Sequence, residues 1–570
     1  MACVGHCHNV VTHVCRIRRH RRRIMFYGHR ISWPAPLFNP MRTRLNITAA
    51  GPSATRMACL LYSTALRSSM LDIILQAFAA ALEPMNLLFI ALGIALGIVI
   101  GVLPGLGSVT AMAVLIPITF YMSPLAAIAF LVGVNKGGTS GGAIPAILLN
   151  SPGSPEAAAT AWDGYPMAKR GEAFRAMKFS LFSSVTGDTI SDLLLIVLVV
   201  PFAAFALQFG PVEYTAVLLF SFALIAGIAG DSPLKSGIGI FFGILLSTIG
   251  LDPVASTSRF TFGQLKLEDG LSLSALAIGA LALSSVVIQL SDLITRREKD
   301  DFASNQADTK AGRSVSAREF FSYWRTLIRG ALTGSLVGML PGLGVTLASF
   351  LSYSAAKRAS KNGDNFGKGE PEGIIATESA NSAVVGSNLI PTIALGIPGN
   401  IAAALLVGAL VMHGVVPGPF MLSMHGELIY GLFASMILAN IFHLIIGRAG
   451  LSLWVQFARY PRRLILPPVL MFCIFGIYLP AQSLWDVGVM LAFAGLGILF
   501  TRARISIVCT VIGFLLGGMF ETSLRQALLL HQVEGISILA SPLALVFLLL
   551  TIAVLSRAIW RSQKESNKSA

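Results

Sequence analysis

Lys136 stands in a stretch that is otherwise small and apolar, VGVNKGGTSGGAIPAILL. An ammonium group there is costly, and its default reading is functional. It could pair with a substrate carboxylate, form a salt bridge to an acid such as Glu378, or snorkel to an interface. Beside it lie Asn135, Gly137, Gly138, Thr139 and Ser140. Ser and Thr hydroxyls, Asn amides and free backbone N–H groups bind carboxylate oxygens, and exposed carbonyls bind a cation. Asp188 and Asp192 stand four apart and so share one helix face. They could carry a coupling proton or bind Na⁺, or they could mark a helix start about three turns from Lys178. Glu378, just before Asn381, is a comparable candidate. Gly138-Thr139-Ser140-Gly141 also spells GxSG, the nucleophile motif of intramembrane rhomboid proteases, with His413 or His443 as the available base. That tetrapeptide lies in a glycine-rich run and is weak support for a hydrolase.

The polar stretch belongs to a duplication. Residues 101–107 read GVLPGLG and residues 338–344 read GMLPGLG, 237 apart. Residues 144–153 read IPAILLNSPG and residues 390–399 read IPTIALGIPG, 246 apart. At the second offset Asn135 aligns with Asn381, Pro145 with Pro391, Pro152 with Pro398 and Gly153 with Gly399. Proline removes a donor and glycine permits a sharp turn. In lipid each backbone group so freed needs a partner, so a helix broken there lies against protein or a watery cavity. New helix N-termini at Pro104, Gly105, Gly107 and at Pro341, Gly342, Gly344 would present free N–H groups to an anion. Ser387, Asn388, Pro398 and Gly399 line the second break as Pro152 and Gly153 line the first. Paired Gly/Pro interruptions in two halves point to a transport site between them.

The rest of the chain must hold these breaks in a membrane. Hydrophobic residues make up 55% and charged residues 12%, which excludes an ordinary soluble enzyme. Counting apolar segments near the required length of about 20 residues predicts roughly 10 to 13 crossings, an all-α integral membrane protein in two repeated halves with broken helices or re-entrant hairpins. Segments 87–103, 108–134, 179–207, 212–229, 234–249 and 271–290 fill the first half. Residues 331–356 read as a broken span or a hairpin, and Arg325 and Arg329 before them with Lys357 and Arg358 after them favour the hairpin. Positive charge also marks the loop from Lys169 to Lys178, the segment from Arg296 to Arg329, Arg459 to Arg463 and the tail after Arg557 as cytoplasmic. The expected divisions are a basic extension at 1–69, halves at 70–295 and 318–558, a linker at 296–317 and a tail at 559–570. Whether the repeats are parallel or inverted stays open.

The net charge of +15 is concentrated in residues 1–69, which hold eleven Arg and no Lys, Asp or Glu. RIRRHRRR could read as a nucleic-acid, membrane-surface or transit segment. The preferred reading is upstream sequence translated ahead of a natural start at Met70, so nucleic acid is not an expected partner. Cys3, His6, Cys7, His8, His13 and Cys15 match no zinc-ligand spacing. No HExxH, paired CxxC, Walker A or dinucleotide GxGxxG motif is present, so no ATP-driven pump or metalloenzyme is indicated.

GVLPGLG, KGGTSGGAIPAILLNSPGSPEAAAT and Asp163-Gly164-Tyr165-Pro166 followed by MAKRGEA resemble the large membrane subunit of tripartite tricarboxylate transporters, the TctA type. GMLPGLG and EGIIATESANSAVVGSNLIPTIALGIPG carry the likeness through the second half. The resemblance implies a multi-pass secondary transporter of the bacterial inner membrane, not an enzyme. It implies a small four-span membrane subunit and a periplasmic substrate-binding protein as partners. It also implies uptake of citrate-like tricarboxylates or other small organic acids by symport, with Na⁺ or H⁺ as coupling ion and no other cofactor. Many members carry aromatic residues before the first Gly-Gly where this chain has Asn135-Lys136, so a tricarboxylate is not assumed. On this reading the broken-helix N-termini and Lys136 hold carboxylates, and Asn135, Asn381 and nearby carbonyls hold the coupling cation.

Overall fold

The computed structural model describes residues 72, 74–103, 106–228, 232–252, 255–296, 315–341, 344–458, 462–534 and 541–569. Pro104, Gly105, Gly342, the 1–69 extension and most of the 296–317 linker lie outside them. The described chain is helical apart from one short hairpin, in which Gly250 pairs with Arg259 and Leu251 with Ser258. Among the described residues six helices are long and apolar enough to cross a membrane, and six shorter apolar helices accompany them.

The first half begins with α1 (Pro84–Gly101), α2 (Gly107–Thr119), α3 (Pro124–Gly141), α4 (Ala143–Leu149), α5 (Ala157–Lys169) and the 34-residue α6 (Ala173–Ala206). It continues through α7 (Pro211–Ile228), α8 (Pro233–Ser247), α9 (Leu273–Ala277), a π-helical segment Ile278–Leu283 and α10 (Ser284–Arg296). The second half repeats the pattern with α11 (Ala317–Ser322), α12 (Trp324–Gly338), α13 (Gly344–Ala359), α14 (Pro371–Ser387), α15 (Leu389–Leu395), α16 (Ile401–Met412), α17 (Met421–Met424) and α18 (Gly426–Ala449). It closes with α19 (Leu451–Ala458), α20 (Arg462–Ala481), α21 (Leu484–Arg502), α22 (Ile507–Glu534) and α23 (Pro542–Ser569).

Residues 331–356 form the expected hairpin, α12 turning into α13 at Met339–Leu340-Pro341. Residues 108–134, read above as one span, are instead two helices. Ser123 accepts a hydrogen bond from Ala126 N–H at 3.4 Å and Pro124 opens α3, so a new helix starts where apolar composition alone shows no break. The first half thus has the same hairpin, α1 with α2. Both turns end on a glycine in the left-handed region, Gly107 at φ 56° and Gly344 at φ 73°, which a side chain would strain. The short helices α4 and α15 also end alike, with Asn150 at φ 52° and Gly396 at φ 71°.

Residue contacts fix the sense of the repeat. Along α3 and α18, Leu125 meets Gly431, Lys136 meets Asn440 and Ser140 meets His443, so the two helices run the same way. Along α6 and α14, Gly187 meets Ser379 and Asp192 meets Gly386, again in the same direction. Yet α3 and α6 run oppositely, since Lys136 pairs with Asp192 while Ser140 shares a cavity with Ser180 and Leu181. Helices α3 and α14 occupy equivalent places in the two halves and therefore point in opposite directions. The repeat is inverted, and each half packs its long helix, α6 or α18, against the other half's broken helix.

The two ends of the bundle differ in charge. At one end Arg170 donates to the carbonyls of Lys368 and Gly369, Arg175 pairs with Glu319, and Lys357, Arg358 and Lys361 line a cavity of about 800 Å³ with Trp162. Asp163 fastens this end: its Oδ1 accepts from the N–H groups of Gly367, Gly369 and Glu370 at 2.8 to 2.9 Å, and its Oδ2 accepts from Tyr353 Oη–H at 2.9 Å. At the opposite end, Arg259 and Arg525 meet Asp252 and Glu521 beside the β-hairpin. Hydrogen bonding to Glu521 holds the Arg259 guanidinium above its ordinary pKa, so its charge is permanent.

Candidate functional site

Each half gathers its own two breaks. Gly107 lies against Gly153 and Ser154, Gly138 against Ser108, and Gly153 against Gly101 and Gly142. In the second half Gly338 lies against Val384 and Ser387, and Gly399 against Gly338 and Asn388. Close helix approach requires the missing side chains: a Cβ at Gly97, Gly101 or Gly137 would collide with the backbone of the facing helix. The PGLG turn and the second motif are therefore one structural unit. Pro398 is buried with Gly399, while Pro152 is only partly covered.

Between the two units lies a buried ionic cluster. Lys136 of α3 is fully buried, and its Nζ stands 2.6 Å from Asp192 Oδ2, 2.7 Å from Asn440 Oδ1 and 3.7 Å from Asp188 Oδ1. Asn440 Nδ2–H donates to the same Asp192 oxygen at 2.8 Å. His443 Nδ1 is 3.5 Å from Asp188 Oδ2, and its Nε2 is 2.6 Å from Ser140 Oγ. Asp188 and Asp192 sit half-way along α6, turned from solvent, not at a helix start. Lys136 is paired with these two aspartates and not with Glu378, and it does not snorkel.

Glu378 forms a separate cluster. Its Oε1 accepts from Thr160 at 2.5 Å and its Oε2 from Ser184 at 3.0 Å. Ser184 lies one turn before Asp188 on α6, and Glu378 one turn before Asn381 on the parallel α14. Asn381 thus rises to the level of Asp188. It is buried, and neither its amide nitrogen nor its oxygen has a protein partner. Asn388 Nδ2 and the hydroxyl of Ser382 are likewise unpartnered. Asn135 and Thr139 are buried beside Lys136. The Ser387 hydroxyl is committed to Ala383 O at 2.7 Å. Pro104, Gly105 and Gly342 lie outside the described residues, whereas Pro341 and Gly344 lie at the hairpin turn.

Reading the sequence did not single out Asn440, Thr160 or Ser184, and named His443 only as a base for Ser140. A polar Asn–His pair three apart in an apolar helix, Asn440 and His443, was the available signal. His413, the other base considered, lies at the end of α16 beside the backbone of Thr119.

The model of the tripartite tricarboxylate transporter TctA family matches residues 87–512. The chain belongs to that family. An Agrobacterium vitis protein described as "Uncharacterized 52.8 kDa protein in TAR-I ttuC' 3'region" is 34% identical over 467 residues, 82% of this chain and 92% of the relative. A second from the same organism, "Uncharacterized protein in TAR-II ttuC' 3'region", is 36% identical over 211 residues, 37% of this chain and 87% of the relative. No solved structure matches. The stretch matched by the TctA family holds both breaks and every member of the ionic cluster.

Proposed function

We propose that this TctA-family protein is the large permease subunit of a binding-protein-dependent secondary transporter of the bacterial inner membrane. It imports a small organic acid, of the di- or tricarboxylate kind, down the gradient of a coupling cation, Na⁺ or H⁺. A small four-span membrane subunit and a periplasmic binding protein complete the system. The observation that carries this reading is the inverted pair of glycine-lined breaks around a buried ionic cluster. Two equivalent units facing opposite ways around one polar centre supply the two states that alternating access requires. The basic end is the cytoplasmic one by the positive-inside rule. The unpartnered amide nitrogens of Asn381 and Asn388 supply donors for carboxylate oxygens. The test is uptake of labelled mono-, di- and tricarboxylates into cells making all three components. Saturable uptake of one acid that needs every component supports the reading, and no uptake with a loaded binding protein opposes it.

A second reading has one observation in its favour. Ser140, His443 and Asp188 stand in the order of a nucleophile, its base and an orienting carboxylate. The cavity beside Ser140 measures about 20 Å³, room for a water and not for a scissile peptide. A serine-directed fluorophosphonate probe decides: labelling lost in Ser140→Ala would establish the hydrolase.

A further inference from the structure

The formal charges of the buried cluster do not balance. Lys136 supplies one positive charge, and Asp188 and Asp192 supply two negative ones. All three are closed to solvent, as is His443. With a neutral imidazole the cluster carries a net charge of −1, and an uncompensated charge away from water is costly. The helices packed around His443 offer few other groups. From α3 come Lys136 and Ser140, from α6 Asp188, Asp192 and Ser180, and from α18 itself Asn440. The α1 and α19 faces present Ile98 and Trp454. Glu378 of α14 is the next acid, level with Ser184 one turn before Asp188 and engaged with Thr160 and Ser184.

The imidazole is placed to take the missing charge. Asp188 Oδ2 lies 3.5 Å from its Nδ1, and neither Nδ1 nor either Asp188 oxygen has a hydrogen-bond partner. On its Nε2 side Ser140 Oγ lies at 2.6 Å, while the Ser140 hydroxyl faces Gly137 O at 3.4 Å. Nδ1 and the two Asp188 oxygens, buried and facing one another, are left open to share a proton.

We propose that His443 and Asp188 together hold one exchangeable proton, and that this proton is the cation moved with the substrate. This rests on the permease reading and names its coupling ion. With the proton bound, Lys136 pairs with Asp192 and His443 with Asp188, and the charges sum to zero. When the proton leaves toward the other side, Asp188 keeps only the 3.7 Å approach of Lys136. Lys136 belongs to the first half and His443 to the second, so loading and release change the attraction between the halves. No other atom is exchanged: one proton binds from one side and the same proton leaves to the other.

The full-length protein, labelled with ¹³C at histidine Cε1, is titrated from about pH 5 to pH 9, the range in which an imidazole changes charge. The expected result is one resonance, absent in His443→Gln, whose position changes with pH, responds differently in Asp188→Asn, and is unchanged by Na⁺. In membrane vesicles with the partner subunits, an inward proton gradient without Na⁺ drives uptake, and His443→Gln loses the dependence on that gradient. A His443 resonance that stays fixed across the range, or a response indifferent to Asp188→Asn, overturns the proposal. So does uptake driven by Na⁺ with the proton gradient dissipated. If no carboxylate moves under any gradient, the permease reading fails, and the titration still decides the proton site. Should His443→Gln fail to fold, Asp188→Asn keeps the histidine and carries the test.

Discussion

Lys136 and Asp192 meet at 2.6 Å across 56 residues, at a point where α3 of one broken unit crosses the middle of α6 with no solvent between them. The contact binds a glycine-rich helix that is poorly fitted to stand alone. Removing one partner from a buried ion pair strands the other charge, at a cost of about 3–5 kcal/mol.

We therefore expect Lys136→Ala to lose about that much stability, and Lys136→Met with Asp192→Asn to recover most of it. Thermal unfolding of the purified protein in detergent measures both. Additive losses in the double variant would show that the two side chains do not act as a pair.

Asp163 accepts three backbone N–H bonds and one from Tyr353, tying α5 to the segment before α14. Asp163→Ala should open that segment, with hydrogen exchange at Gly367, Gly369 and Glu370 rising by about tenfold or more, since bonds to a charged acceptor are worth about 1.5–3 kcal/mol each. Unchanged exchange at those three amides would remove the fastening role.

The two left-handed glycines should behave alike despite different surroundings. Gly107→Ala and Gly344→Ala each carry a backbone penalty of about 1–2 kcal/mol. Gly101→Ala should cost more than either, because its Cβ meets the backbone of Gly138, which a side-chain shift cannot relieve. Unfolding midpoints that rank Gly101→Ala mildest would contradict the close approach of α1 and α3.

GVLPGLG and GMLPGLG announced two turns, and both turns exist. Basic residues around 331–356 announced a hairpin, and α12 and α13 form it. The break between α2 and α3 was hidden because Phe120–Tyr121–Met122 keeps the same apolar character as the helices it joins. Lys136 announced a buried charge, but which acid would meet it depends on packing between segments far apart, and Asp192 was reached only through the fold. At the 246-residue offset Asn440 falls on the apolar Leu194, so the duplication does not mark it. The sense of the repeat needed contacts such as Ser140 with His443, which no count of crossings supplies.

The central claim is that one buried centre opens to each side in turn. Asn381, unpartnered and level with Asp188, is the place to watch it. Asn381→Cys, in a chain whose native cysteines have been replaced, is exposed to a membrane-impermeant thiol reagent in right-side-out and in inside-out vesicles with the partner subunits present. The account predicts that imposing the driving gradient with loaded binding protein shifts the reactivity from one face to the other, never leaving it high from both. Labelling from both faces at once, or from one face under every condition, would contradict it.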